Sequence, residues 1–474
     1  MHRSTVASLI ATFVFVPSVA HAATGLDGAT MNWPWALPFA AMLASIATGP
    51  LLFPQIWHRH YGRIALSWSV LVLGALAAVY GVPAALAALV HAMLAEYLSF
   101  IVLLFALYVV AGGILVTGNL RGTPLMNTAI LAVGTAMASV VGTTGAAMIL
   151  IRPLLTANEA RGHKVHIVVF FIILVANVGG ALSPLGDPPL FVGFLRGVDF
   201  FWTAQHLWLQ TIIVAVPVLA MFFAADCWFY RREIHGTEAD EPVRIAIRGR
   251  INFVLIALII VAILGSALWK SGVAFDIYGT RVALQNVARD AALIAIALAS
   301  LWLTPNEHRA ANGFTWEPIR EVAKLFAGIF VTIIPVLAAL DAGRKGAFAW
   351  LLSIVTEADG APREVAYFWL TGALSAFLDN APTYLVFFEL AGGDPARLMG
   401  PLAGTLAAIS MGAVYMGALT YIGNAPNFMV YAIAQERGIG MPSFFGYMLW
   451  AGLILIPLFV LLTLLPVAPL LRLS

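Results

Sequence analysis

"GALSPLGDPPLF" runs from Gly180 to Phe191 and sets one aspartate, Asp187, between a glycine and two prolines inside an otherwise oily stretch. Pro184, Pro188 and Pro189 have no N–H to donate, and their rings disrupt a helix. Gly186 permits a turn. Residues 183–189 are therefore expected to form an unwound break within a helix. The segment "GALTYIGNAPNF" (417–428) aligns on the first without a gap at an offset of 237, with six of twelve positions identical. A second break is expected over 420–427. Upstream, "VGTTGA" (141–146) falls opposite "FLDNAP" (377–382) at an offset of 236. Two separate motifs that keep nearly one spacing point to a duplicated half.

The chain around these motifs is 61% hydrophobic and 10% charged over 474 residues, against about 25% charged in soluble domains. Apolar stretches close to the length that spans a bilayer recur throughout. The expected fold class is an all-α polytopic membrane protein with about 10 crossings, near 34–54, 64–82, 92–115, 165–196, 206–230, 251–269, 290–304, 319–340, 400–434 and 443–468. The apolar stretches 124–156 and 364–391 carry polar tips and read as re-entrant hairpins. A net charge of +2 suggests no nucleic-acid partner, and the single Cys227 excludes an internal disulfide and any multi-thiolate metal site. The glycine-rich runs show no phosphate-loop pattern, so no ATP drive is expected. No nucleophile–base pair or metal-ligand cluster stands out, so no enzyme and no resident cofactor are expected. A channel would need a continuous pore, whereas paired broken helices favour alternating access.

Residues 1–22 read as a signal peptide: Arg3, the apolar core "VASLIATFVFVPSVA" and a small-x-small site at Ala20–Ala22. Cleavage would leave the N-terminus periplasmic, with the protein multi-pass in a bacterial inner membrane. On that topology 14 Lys+Arg face the cytoplasm and 9 the periplasm, a bias of the expected sign. The basic segment 231–250 is expected to be a cytoplasmic linker between a first repeat, 23–230, and a second, 251–474. Each half contributes five crossings, and an odd number inverts the second copy. The hairpin at 124–156 then opens inward and that at 364–391 outward. Two inverted repeats, each with a re-entrant hairpin and a broken helix, are a recurring design of secondary transporters.

Within lipid every backbone polar group needs a partner, so breaks are tolerated only where they face protein or a wet cavity. Freed carbonyls can ligate a cation, and half-helix N-termini favour an anion. Ser183, Asp187, Thr420, Asn424 and Asn427 cluster at the breaks, and the tips offer Thr143, Thr144, Asp379, Asn380 and Thr383. Hard oxygen ligands of this kind suit sodium or a proton.

"SVVGTTGAAMILIRPLL" (139–155), "NVGGALSPLGDPPLF" (177–191), "SAFLDNAPTYLVFF" (375–388) and "TYIGNAPNF" (420–428) resemble the NhaD-type sodium:proton antiporters and their relatives described as citrate transporters. Both belong to the ion-transporter superfamily, and the resemblance covers about 30–468. It implies paired sites near the membrane centre. One set is Thr143, Thr144 and Gly145 with Ser183, Gly186 and Asp187. The other is Asp379, Asn380 and Thr383 with Thr420, Gly423 and Asn424. It also implies a homodimer. The first tip reads Thr-Thr-Gly where the second reads Asp-Asn-Ala-Pro-Thr, a departure from a symmetric two-sodium scheme.

Carboxylates near the membrane centre cost at least ~2.5 kcal/mol and mark ion or proton paths. Asp187 and Asp379 are the expected proton-coupling pair, with sodium at a subset of the ion-binding residues. Partners are then membrane lipid and a small inorganic cation, with sodium and protons as transported ions. The alternative is a citrate or other organic-anion (dicarboxylate) transporter coupled to cations, which Arg152, the one basic residue within a hairpin, keeps open. His163 and His166 read as a solvated basic loop, Asp226 as an interfacial structural residue, Glu389 as wet, and Glu96 as near a helix end.

Overall fold

The computed structural model describes residues 26–233 and 245–464. The expected signal peptide, most of the expected linker and the last ten residues lie outside the described residues. The described residues are 76% helical. Helices α1 Leu37–Leu52, α2 Pro54–Tyr80, α3 Val82–His91 and α4 Leu98–Gly112 come first, the last two fused by a π-helical turn over Ala92–Tyr97. A hairpin follows, α5 Pro124–Val141 and α6 Thr143–Ala157, then α7 Val165–Leu174, α8 Pro188–Leu195 and α9 Trp202–Tyr230. The second part opens with α10 Ile251–Leu268, α11 Leu284–Leu303, α12 Asn306–Ala311, α13 Glu317–Thr332, α14 Ile334–Asp341 and α15 Ala349–Val355. A second hairpin, α16 Glu364–Phe377 and α17 Asn380–Leu390, leads to α18 Pro395–Met399, α19 Ala403–Met416, α20 Ala425–Glu436 and α21 Phe444–Leu464. Two ribbons of paired strands complete the described residues. One pairs Leu115–Gly118 with Ile245–Arg248, and the other pairs Ala274–Ile277 with Thr280–Ala283.

Among the described residues, eight helical stretches are long and apolar enough to cross a bilayer, nine if α13 and α14 count as one span bent by 40°. Pro335, at the start of α14, accounts for the bend. The protein is therefore an all-α polytopic membrane protein. Two expected crossings are not among these stretches. The first is the 16-residue α1, and the span expected at 400–434 is interrupted between α19 and α20.

Burial separates centre from periphery. The stretch Val165–Leu182 is 89% buried, whereas α2, α9, α10, α11 and α21 are only 22–28% buried over their most apolar windows. Those outer helices keep apolar side chains exposed, as a lipid-facing surface requires. The breaks therefore lie in the most enclosed part of the molecule.

Both breaks form where the proline and glycine chemistry places them. After α7 the chain tightens into a 3-10 turn, Val178–Leu182, runs extended through Ser183 (φ −153°, ψ 159°) and restarts as α8 after Asp187 (φ −142°, ψ 142°). After α19 it repeats the path: a 3-10 turn at Gly417–Leu419, extended Thr420 (φ −137°, ψ 167°) and Asn424 (φ −151°, ψ 139°) before α20. Ser183 Oγ donates to the carbonyl of Ser139, and Thr420 Oγ1 to that of Ala376, again 237 positions on. The same hydroxyls accept from the amides of Leu185 and Ile422 at 3.1 and 3.2 Å. Each hydroxyl thus fastens a break to the first arm of its own hairpin.

The hairpin tips also keep the offset of 237, one residue more than the expected 236. α6 starts at Thr143 and α17 at Asn380, so Gly142 (φ +83°) is matched by Asp379 (φ −59°). Two unlike N-caps at one position defeat alignment by residue identity. In the first break a Cβ on Gly186 would lie 2.1 Å from the Gly180 carbonyl oxygen. The chain folds back on itself there too closely for any side chain. Gly186→Ala is expected to destabilise the protein by about 1–3 kcal/mol, read as a lower thermal midpoint in detergent. Gly74→Ala in α2, where an added Cβ meets nothing within 4 Å, should leave the midpoint unchanged.

Candidate functional site

Four helices, α6, α8, α17 and α20, start beside the two breaks, so their N-terminal ends face one another. Asp187 caps α8 without using its side chain for the cap. Its carboxylate is fully buried and instead gathers donors from three other segments. Thr143 Oγ1 of the first tip donates to Oδ1 at 3.1 Å, and Asn424 Nδ2 of the second break at 2.9 Å. Asn380 Nδ2 of the second tip donates to Oδ2 at 2.5 Å. All four motifs singled out in the sequence therefore meet at one carboxylate. Among the described residues, no lysine, arginine or histidine is one of its partners.

A cavity of about 100 Å³ opens beside this carboxylate. A site needs roughly 10–15 Å³ by this measure to hold one water, so there is room for a monovalent cation with part of its hydration shell. Asp187, Asp379, Asn380, Asn424, Thr143 and Thr144 supply the polar lining, with Gly145 and Gly186 beside them. The remaining wall is mostly apolar and comes from α4, α13 and the residues that flank the two breaks. Asp379 is half-buried. One of its oxygens caps α17 by accepting from the Ala381 amide at 3.1 Å.

The other expected site residues lie outside this cavity. Ser183 and Thr420 are spent on the clamps to the hairpins. Thr383 Oγ1 donates back to the Asp379 carbonyl at 2.9 Å. Gly423 packs against Gly417 and the Ser375 carbonyl. Arg152 is half-buried and does not line the cavity; its guanidinium packs over Gly313 in the loop before α13.

Two ionic clusters hold residues that the sequence placed elsewhere. His166, expected in a solvated loop, is 2% exposed, and its Nε2 lies 2.8 Å from Asp226 Oδ1. Arg161 Nη1 reaches the same oxygen at 2.5 Å, and Asn127 Nδ2 of the first hairpin donates to Oδ2 at 2.8 Å. Arg161 Nε also pairs with Glu233 at 2.9 Å. Burial alone would push the Glu233 carboxyl up, but the His163 amide and the Arg161 guanidinium outweigh it and hold the group below the ordinary glutamate range. This cluster ties α5, α7 and α9 together.

The second cluster spans the two halves. Arg196, just past α8, reaches Glu96 at 2.6 Å and Glu389 at 2.5 Å. Glu389, expected to be wet, is partly buried and ion-paired, and Glu96 sits in the π turn inside a long helix rather than near an end. The sequence signal for both clusters was a charge inside an apolar run. Its partner, far off in sequence, could not be read.

A family model described as "Putative citrate transport" matches residues 28–467. The chain belongs to that family. Two proteins named as uncharacterized transporters, one from Mycobacterium bovis and one from Mycobacterium tuberculosis, are each 24% identical over 330 residues, 67% of this chain and 71% of theirs. The protein is thus a multi-pass membrane transporter of the citrate-transport family.

Removing one partner of a buried ion pair typically costs about 3–5 kcal/mol. Asp226→Ala, which strips Arg161 and His166 of their shared carboxylate, should lower the thermal midpoint by several degrees. Cys227→Ser, at the neighbouring half-buried free thiol, should not shift it.

Proposed function

We propose that this transporter exchanges sodium for protons by alternating access, with Asp187 as the group that the two ions share. The observation that carries the proposal is the cavity's polar lining: two carboxylates, carboxamides and hydroxyls, with no basic side chain. A carboxylate enclosed by neutral donors is neutralised by one monovalent cation or by one proton, and only one can occupy it. Competition of that kind, with access alternating between the two sides, suffices for antiport. The matched breaks and hairpins support two repeats, 23–230 and 251–474, arranged in opposite orientations around this centre. Asp379, which lines the same cavity, is the second candidate for ion binding and proton coupling. Sodium and protons are cargo here, and no further cofactor is invoked.

The second reading is uptake of citrate or another organic anion with a cation. The family's description favours it, and so do four helix N-termini facing one cavity, each worth about 0.3–1 kcal/mol to a nearby negative charge. Against it stands Arg152, the one basic residue of either hairpin, packed away from the cavity.

Reconstituted vesicles separate the two. A sodium gradient should drive a pH change inside the vesicles without citrate, and lowering the pH should raise the apparent KM for sodium. Asp187→Asn should abolish the exchange, and Asp379→Asn should impair it at least tenfold. Labelled citrate uptake with no sodium-driven pH change would overturn the proposal.

A further inference from the structure

Behind Asn424 the structure holds a chain of buried carboxamides. Asn427 Nδ2 donates to the carbonyls of Gly417 and Thr420 at 2.8 and 2.9 Å, two acceptors freed by the second break. Its Oδ1 is thereby left facing Asn177, whose Nδ2 donates to it at 2.7 Å and to the Ile172 carbonyl at 2.8 Å. Asn177 Oδ1 in turn accepts from Asn424 Nδ2 at 3.3 Å, and the same nitrogen reaches the Ala176 carbonyl at 3.1 Å and Asp187 Oδ1 at 2.9 Å. Each amide nitrogen is pinned by at least one backbone carbonyl. Turning any one carboxamide over would set oxygen against oxygen at two places or more. All three residues are at most 1% exposed.

The consequence falls on Asn424. With its nitrogen committed to Asp187, its Oδ1 is the atom left for the cavity that it lines, and no protein donor reaches that oxygen among the described residues. The link also runs between the halves, since Asn177 precedes the first break and Asn424 and Asn427 belong to the second.

The chain is one-sided. At the offset of 237 that relates the two breaks, Asn177 is answered by Val414 and Asn427 by Leu190, both buried. One junction is polar where its counterpart is apolar. A link needed only to join a break to its neighbours would be needed at both junctions. It occurs only on the side that orients a carboxamide against Asp187.

We infer that Asn177 and Asn427 are positioning residues that act through Asn424, holding its amide toward Asp187 and its oxygen toward the cation in the cavity. This rests on the proposed sodium:proton exchange, which wild-type vesicles test first: no exchange there fails that proposal before any variant is compared.

The test is the double variant N177V/N427L, which installs the apolar pair of the other junction. Replacing both residues removes the Asn177–Asn427 bond without orphaning either side chain, while the Gly417, Thr420 and Ile172 carbonyls each lose a side-chain donor, so folded yield is measured beside KM. A loosened carboxamide weakens one charge-assisted contact, a change of about tenfold in an equilibrium constant. The sodium KM is therefore expected to rise about tenfold while kcat of the folded protein stays within about threefold. A KM within twofold of wild type would overturn the inference. So would a loss of kcat and of folded protein together with KM unchanged. Should the double variant not fold, Asn177→Ala removes the middle link and leaves the Asn427 bonds to Gly417 and Thr420 in place. The same KM rise is expected, and an unchanged KM is again contrary.

Discussion

Asp187 carries a carboxylate in the most enclosed part of a membrane protein and has no cationic neighbour among its partners. That is the constraint around which the centre is built. A charge at the bilayer centre costs at least ~2.5 kcal/mol, while a hydrogen bond to a charged group contributes roughly 1.5–3 kcal/mol. Three such bonds therefore offset the cost without a guanidinium or ammonium. They come from two hairpin tips and the opposite break, so the ionised group is satisfied only when all four segments are assembled.

Assembling them requires backbone that a membrane normally forbids. Each break frees amides and carbonyls, and each is repaired locally. A hydroxyl, Ser183 or Thr420, fastens the break to its hairpin, and Asn427 takes up two carbonyls of the second break. The repair explains why the hydroxyls are at the breaks although they do not reach the cavity. It also explains the glycines, since Gly186 lies against Gly180 and Gly423 against Gly417 with no room for a Cβ. The offset of 237 recurs further out: the hinge residue Ile333, between α13 and α14, lies 237 positions after Glu96 in the π turn. Two different distortions, one π-helical and one proline-induced, interrupt matching helices at the same place.

The breaks were legible in sequence because proline and glycine act on their own backbone. Asp187, Asn380, Asn424 and Thr143 were legible for the same reason, being polar residues at those breaks and tips. What could not be read was where each lone pair and hydrogen goes. Ser183, Thr383 and Thr420 are the right residue types for ligands but spend their hydroxyls on backbone carbonyls. The tip alignment slipped by one because a glycine and an aspartate cap equivalent helices. His166 was read with the basic loop before it, although the apolar run "IVVFF" beginning at 167 already placed it in the first turn of a buried helix. The Asn380–Asp187 contact spans 193 residues, and no local pattern announces it.

The asymmetry of the centre, aspartate in one break and asparagine in the other, makes Asp187 the group that sodium and a proton would share. The most direct measurement is the number of protons released when sodium binds to the purified protein. Calorimetric titration in buffers of different ionisation enthalpy reads it without any vesicle. Competition at Asp187 predicts close to one proton released per sodium bound at a pH where the carboxyl is protonated, and none in Asp187→Asn. Sodium binding without proton release in the wild type, or equal release in the variant, would contradict it.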